Sequence, residues 1–249
     1  MTDFVEVSRD GAVSVVTLAR TEKKNALTGA MYGALVEAFA QAGKDETIGA
    51  LLLRGKEGIF TAGNDIGDFL ARGGSAETAP STLFIRALAA FEKPLVAAVE
   101  GPAIGIGATL CFHCDLVYAA PSARFHMPFV NLGIVPEAGS SLLAPQRFGY
   151  AKAAEFIMLA ESFDATVARE LGLVNAIVEP GELYAHALAK AQALAAKPRD
   201  ALLATRRLLR GDPAILKARM DEEVRLFGEA VRSPQARAAF SAFLQKAKA

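Results

Sequence analysis

The chain has 249 residues, 52% hydrophobic and 22% charged, which is ample material for a core and excludes a disordered chain. Its 27 Lys and Arg balance 27 Asp and Glu, so nucleic acid, whose partners usually carry a basic excess, is disfavoured as the main partner. Two cysteines cannot make a disulfide framework and point to a reducing cytoplasm.

The opening residues, Met-Thr-Asp-Phe-Val-Glu, lack the basic start and apolar run of a signal peptide. The spacing predicts short strands at Phe4–Val7 and Ala12–Leu18, joined across the hairpin signal Asp10-Gly11. Thr28 is positioned to cap a helix with Met31, Leu35, Phe39 and Ala42 on one face. Ala50–Arg54 is a short continuous apolar run, as expected for a strand buried on both faces. A loop is expected from Gly73 to Pro80. Pro94 introduces a second buried strand, Leu95–Val99, followed by the glycine-punctuated turn Gly101–Gly107. The apolar stretch from Leu95 to Phe112 is interrupted by Glu100, Gly101 and Pro102, so it falls short of the roughly 20 predominantly apolar residues of a membrane helix. A soluble chain with no membrane partner is expected.

Further strands are expected at Leu116–Ala119 and Ala123–His126, and from Ser140 the pattern turns helical, with a brief strand at Val174–Val178. Helices are expected at Ala185–Ala196, Ala201–Leu209, Ile215–Val231 and Ala236–Lys246, with breaks at Pro198, Pro213 and Pro234. Strands alternating with helices and then a helix-only tail argue for an α/β core with a C-terminal helical appendage, divided at 1–195 and 196–249.

Two segments share a plan in which a buried strand runs into a glycine-bearing loop that opens a helix. One is Ala50–Arg54 followed by Gly58-Ile59-Phe60-Thr61-Ala62-Gly63-Asn64-Asp65-Ile66; the other is Leu95–Val99 followed by Glu100-Gly101-Pro102-Ala103-Ile104-Gly105-Ile106-Gly107-Ala108. Such turns expose backbone N–H groups, and two facing each other would cradle a developing oxyanion. Taken singly, glycines there mark tight turns and close packing. Neither loop matches a phosphate-loop or dinucleotide fingerprint.

These segments, in their order and separation, resemble the crotonase superfamily of enoyl-CoA hydratases and isomerases. The likeness extends over Asn25-Ala26-Leu27, Lys93-Pro94 through Cys114-Asp115-Leu116, Ala123-Arg124-Phe125 with Leu132-Gly133-Ile134, and Ala168–Val174. The resemblance implies a ClpP/crotonase-like spiral of ββα units with a C-terminal helical region for oligomerisation, assembled as a homo-trimer or a dimer of trimers. It implies an acyl-CoA thioester substrate whose oxygen sits between the amides of Asn64 and Ile106. It places CoA against Lys24, Ala26, Leu27, Ala62, Asp65 and Ile66, with Gly105 beside the second amide. CoA arrives as part of the substrate, and no metal or other cofactor is called for.

Hydratases of this superfamily carry two catalytic glutamates; at the matching positions this chain has Thr109 and Phe129, and neither can serve as the base that adds water. Leu132-Gly133-Ile134-Val135-Pro136-Glu137-Ala138-Gly139-Ser140-Ser141 resembles the segment in which Δ3,Δ2-enoyl-CoA isomerases carry a single catalytic glutamate, so the resemblance makes Glu137 a proton shuttle. Lining by Val130, Leu132, Ile134, Val135 and Ala138 would raise its pKa by desolvation; the bland alternative is a surface acid at a helix start. Rival readings are a hydratase working by an altered route, another crotonase-type lyase or hydrolase, and a non-catalytic acyl-CoA- or RNA-binding member. Cys111-Phe112-His113-Cys114 lacks a second cysteine pair for zinc and lies late in its helical run, so packing is expected of it. His126 reads as a satisfied core histidine, and the stripe Met220, Val224, Phe227, Val231 as core or subunit packing.

Overall fold

The computed structural model describes residues 4–72 and 75–246. The hairpin forms as expected: β1 (Val5–Asp10) and β2 (Val13–Leu18) are antiparallel, and β2 then pairs in parallel with β3 (Ala50–Gly55). The sheet continues in parallel through β4 (Leu95–Val99), β6 (Leu116–Ala119) and the two-residue β9 (Ala176–Ile177). A second sheet joins β5 (Pro102–Ile104), β7 (Arg124–His126) and β8 (Phe163–Asp164).

The large sheet is buried on both sides because alternate residues serve two clusters. Leu51, Leu53, Leu95 and Ala97 face the main core, while Ala50, Leu52, Val96 and Ala98 face a smaller one roofed by α8 (Pro180–Ala195). Each fully buried leucine in β3 contributes roughly 1.5–3 kcal/mol of transfer free energy. On the main-core side lie α1 (Gly29–Lys44), whose Thr28 Oγ1 accepts the Met31 amide at 3.3 Å, and α3 (Pro80–Ala90). Helix α3 is not among the elements predicted from the sequence, although Pro80 at its first turn and the spacing of Phe84, Ile85 and Leu88 are its signature.

After each inner strand the chain makes a short extended pass in a second layer. Leu27 bridges Asn64, Thr61 bridges Ala103, and β5 pairs β7, all in parallel. Each pass leads into a helix: α1, then α2 (Ile66–Arg72), then the four-residue α4 (Ile106–Thr109). Strand, short strand and helix therefore repeat as a stacked spiral of ββα turns. Helices α5 (Ser140–Phe148), α6 (Tyr150–Met158) and α7 (Ala165–Glu170) precede α8.

The C-terminal helices are α9 (Arg199–Arg210), α10 (Pro213–Ala230) and α11 (Pro234–Lys246). Pro213 and Pro234 open helices rather than separate them, and Pro198 is the residue before α9, because a proline lacks only an amide that the first turn cannot use. Of the expected loop at 73–80, Gly73 and Gly74 lie outside the described residues, Ala76–Thr78 form a 3-10 turn, and Pro80 already belongs to α3. Among the described residues, no helix is long and apolar enough to cross a membrane.

Candidate active site

Three loops meet at the C-terminal ends of the parallel strands. The loop after β2 donates Leu27 N–H to Gly63 O at 2.7 Å and accepts Asp65 N–H and Ala62 N–H on Leu27 O and Lys24 O. The loop after β3 is tied to the loop after β4 by Phe60 N–H to Glu100 O, Thr61 N–H to Pro102 O and Ile104 N–H to Thr61 O, at 2.7, 2.8 and 3.1 Å. Buried Asn25 braces the junction, its Nδ2 donating to Ile59 O and its carbonyl accepting Thr61 Oγ1–H.

Gly63 shows how close the loops are: with φ at +85°, a Cβ built there would stand 2.7 Å from Ile104 O. The residues beside Gly63 and beside Ile104–Gly105 are Asn64 and Ile106. Among the described residues, neither amide donates to a protein acceptor. The amides of Gly63, Asp65 and Gly105 are paired.

Asn64 lines a cavity of about 320 Å³ whose walls include Leu27, Tyr32, Phe69, Thr82 and Phe227, and the Tyr32 hydroxyl donates to Asn64 Oδ1 at 2.5 Å. A recess of about 30 Å³ adjoins it, sharing Asn64, Thr82 and Phe227, and at its wall stands Glu137. The residue is half-buried and lines this recess. Glu137 Oε1 accepts the hydroxyl of fully buried Thr109 at 2.5 Å; among the described residues no donor engages Oε2.

Burial pushes the Glu137 carboxyl up to about 8; the Thr109 hydrogen bond opposes the rise, and the like charge of Glu223 adds to it. Burial and then the Glu137 charge raise the Tyr32 phenol well above its ordinary value, so it stays a neutral donor. The apolar surroundings of Glu137 differ from the expectation. Of its own segment only Ala138 joins it in lining the recess; the rest comes from Ile85 of α3 and from Met220, Val224 and Phe227 of α10. The stripe read as core or subunit packing does pack in the core, with Met220 buried and Phe227 and Val231 against it, and it also walls the cavity because α10 folds back over the spiral. Glu223, one residue off that stripe, was missed; an acid among Met220, Val224 and Phe227 was the available signal.

Of the remaining candidates, Lys24 and Ala26 sit on the first loop, and Ala62, Asp65 and Ile66 on the second, contiguous through the hydrogen bonds above. Asp65 accepts the Arg20 guanidinium at 2.7 Å and the Asp68 amide at 3.1 Å. Burial works against its charge, yet these donors hold the carboxyl below its ordinary value. Gly105 turns with φ at +55° and donates its amide to His126 O. His126 Nε2 meets Ala160 O at 2.9 Å, away from the recess. Phe129 packs in the core. Cys111 and Cys114 are free and buried; burial pushes the Cys111 thiol up to about 12 and raises Cys114 as well, the opposite of a reactive thiolate.

The family model for enoyl-CoA hydratase/isomerase matches residues 8–249. The chain belongs to the enoyl-CoA hydratase/isomerase family. It is 34% identical over 244 residues to 2,3-dehydroadipyl-CoA hydratase of Escherichia coli, covering 96% of this chain and 95% of the relative. It is 33% identical over 210 residues to enoyl-CoA delta isomerase 2 of Rattus norvegicus, covering 82% of this chain but only 54% of that longer protein, about half its length. The solved structure of Pseudomonas aeruginosa OdaA superposes with a TM-score of 0.94 at 41% identity, over 98% of this chain and 99% of the other. This enoyl-CoA hydratase/isomerase family member is therefore an enzyme of the crotonase fold, a spiral α/β core with a C-terminal helical region. Hydratase and isomerase names both occur among its relatives.

Proposed function

We propose that the protein is a Δ3,Δ2-enoyl-CoA isomerase in which Glu137 alone carries the proton. The thioester lies along Lys24, Ala26, Leu27, Ala62, Asp65, Ile66 and Gly105, with its oxygen between the amides of Asn64 and Ile106. Glu137 Oε2 takes a proton from C2, and the electron pair left behind places negative charge on the thioester oxygen, where the two N–H donors stabilise it. As the carbonyl re-forms, the C1–C2 pair becomes the C2–C3 double bond, and the former C3–C4 pair takes the proton from Glu137 at C4. The proton returns to the same substrate, so the cycle needs no metal or other cofactor.

The observation that carries this reading is a single carboxyl oxygen free to face the recess, with Thr109 standing where hydratases of the superfamily hold a glutamate. That threonine holds Glu137 by its other oxygen and leaves Oε2 for substrate. A second reading, hydration by an altered route, draws support from the 34% identity to a hydratase. Supplying 3-enoyl-CoA and 2-enoyl-CoA separately to wild type and Glu137→Gln divides the two. Double-bond migration is expected to fall by more than the ~10²–10⁴-fold usual for one acid–base group, because the other carboxyl at the recess, Glu223, has both oxygens engaged by Gly139 and Ser141, while CoA-ester binding persists. Fast hydration of the 2-enoyl ester that survives Glu137→Gln would overturn the assignment.

The proposal includes a trimer or dimer of trimers, with residues 1–195 as the spiral core and 196–249 as the region carrying subunit contacts. Exposed Leu208, Leu209 and Ile215 at the α9–α10 corner support it. A cytoplasmic location belongs to the same reading, supported by the two free, buried cysteines.

A further inference from the structure

Glu223 is an acid sealed inside the protein, 4% exposed, that takes no part in the proton transfer above. Both of its oxygens are occupied. Oε2 accepts the Gly139 amide at 2.6 Å, while Oε1 accepts the Ser141 amide at 3.0 Å and the Ser141 hydroxyl at 2.6 Å. All three donors come from Gly139, which caps α5, and from Ser141 in its first turn, directly after Glu137.

The turn at residues 138–139 holds an unfavourable conformation. Ala138 and Gly139 both have positive φ, +59° and +70°, and the first carries a Cβ. His113 grips it from the core side, its Nε2–H donating to Ala138 O at 2.7 Å; burial drops the imidazole to about 4, so the ring is neutral, and a carbonyl partner fixes the proton on Nε2. Helix α10 grips it from the cavity side, where a Cβ at Gly139 would strike Leu216. One turn further along α10, Met220 and Val224 line the recess beside Glu137. Helix α10 therefore touches the acyl-facing wall and the catalytic turn at once.

Building on the proton-shuttle reading of Glu137, we propose that Glu223 is a positioning residue: its carboxylate clamps the 139–141 turn so that the free oxygen of Glu137 faces the acyl group, and it couples that placement to the seating of α10 on the cavity. Burial raises the Glu223 carboxyl above its ordinary value and the Ser141 and Gly139 donors oppose that rise; as a carboxylate it accepts on both oxygens. A glutamine of equal size accepts on one side and turns an N–H donor against the amide or hydroxyl on the other. The charged and titratable groups facing the pair are Tyr32 of α1, His113 behind Ala138, and Arg219 of α10, whose Nη1 lies 3.4 Å from Ser141 Oγ.

The test uses full-length protein, 3-enoyl-CoA turnover, and NMR titration of ¹³C-labelled glutamate without substrate. Glu223→Gln is expected to lower kcat about 10–100-fold, the scale of a small misplacement of a reacting group, with KM within about threefold. The Glu137 titration should move downward, since a negative neighbour is gone. Ser141→Ala removes one donor and keeps both amides, so a smaller kcat loss with unchanged KM is expected; it decides the matter if Glu223→Gln does not fold. Folded variants with wild-type kcat, or a rise in KM alone, would overturn the proposal. Should Glu137→Gln turn over 3-enoyl-CoA at the wild-type rate, the reaction assignment falls by itself; the Gly139 and Ser141 amide NMR signals then judge the clamp, and signals unmoved in Glu223→Gln refute it.

Discussion

Glu137 spends most of its time protonated at neutral pH. With its carboxyl raised to about 8, roughly one molecule in ten carries the charge at pH 7. If only the carboxylate can take the C2 proton, kcat/KM for migration should climb about tenfold per pH unit below 8 and level off above it, which a pH–rate profile measures. A flat profile from pH 6 to 9 would remove Glu137 as the base. The same shift has a consequence for stability. Between its ordinary value of 4.5 and about 8 the folded protein holds this proton more tightly than the unfolded chain, so its contribution to stability declines as pH rises through that window. Glu137→Gln abolishes the decline while keeping an oxygen for the Thr109 hydroxyl. The variant should therefore gain Tm relative to wild type between pH 5.5 and 8.5, by about 2–4 °C per kcal/mol relieved, and equal Tm differences at the two pH values would contradict the burial argument.

Between elements, a few polar contacts fix how helices meet the sheet. Lys93, buried just before β4, donates its Nζ to Ala42 O at 2.6 Å and Asp45 O at 2.7 Å, satisfying carbonyls at the C-terminal end of α1. Burial and then Arg199 lower its pKa, yet the carbonyls give the ammonium ion its partners. Lys93→Met strands those acceptors and should cost roughly 2–4 kcal/mol in urea unfolding with little effect on the cavity chemistry, since α1 is anchored near the site by the Thr28 cap instead. A loss below about 0.5 kcal/mol would mean that water satisfies the carbonyls. Elements were legible in the sequence where one local rule dominated: Thr28 before a 3–4-spaced face, Asp10-Gly11 between strands, unbroken apolar runs at 50–54 and 95–99. Helix α3 and the starts of α10 and α11 were misjudged because a proline signals both a stop and a first turn, and only the following residues say which.

For the whole molecule, the exposed side chains of Leu208 and Leu209, each 84% accessible, are the surface on which the proposed assembly rests. Sedimentation should give three or six times the chain mass, and Leu208→Asp with Leu209→Asp should reduce it to one; a wild-type monomer at micromolar concentration would remove the proposed assembly. The sequence by itself showed an α/β core with a helical tail, because apolar runs ending in glycine-bearing loops alternate with helical periodicity; the spiral, and Glu137, Asn64 and Ile106, followed from the resemblance of short contiguous motifs to the crotonase superfamily. Tertiary structure decided what encloses them. Met220, Glu223, Val224 and Phe227 lie more than 80 residues beyond Glu137, and only the return of α10 across the spiral makes them its wall and brings the Glu223 carboxyl onto Gly139 and Ser141. A helical stripe records that one face is buried; it carries no information about which surface buries it, and so the electrostatic setting of Glu137 came from contacts that no local pattern encodes.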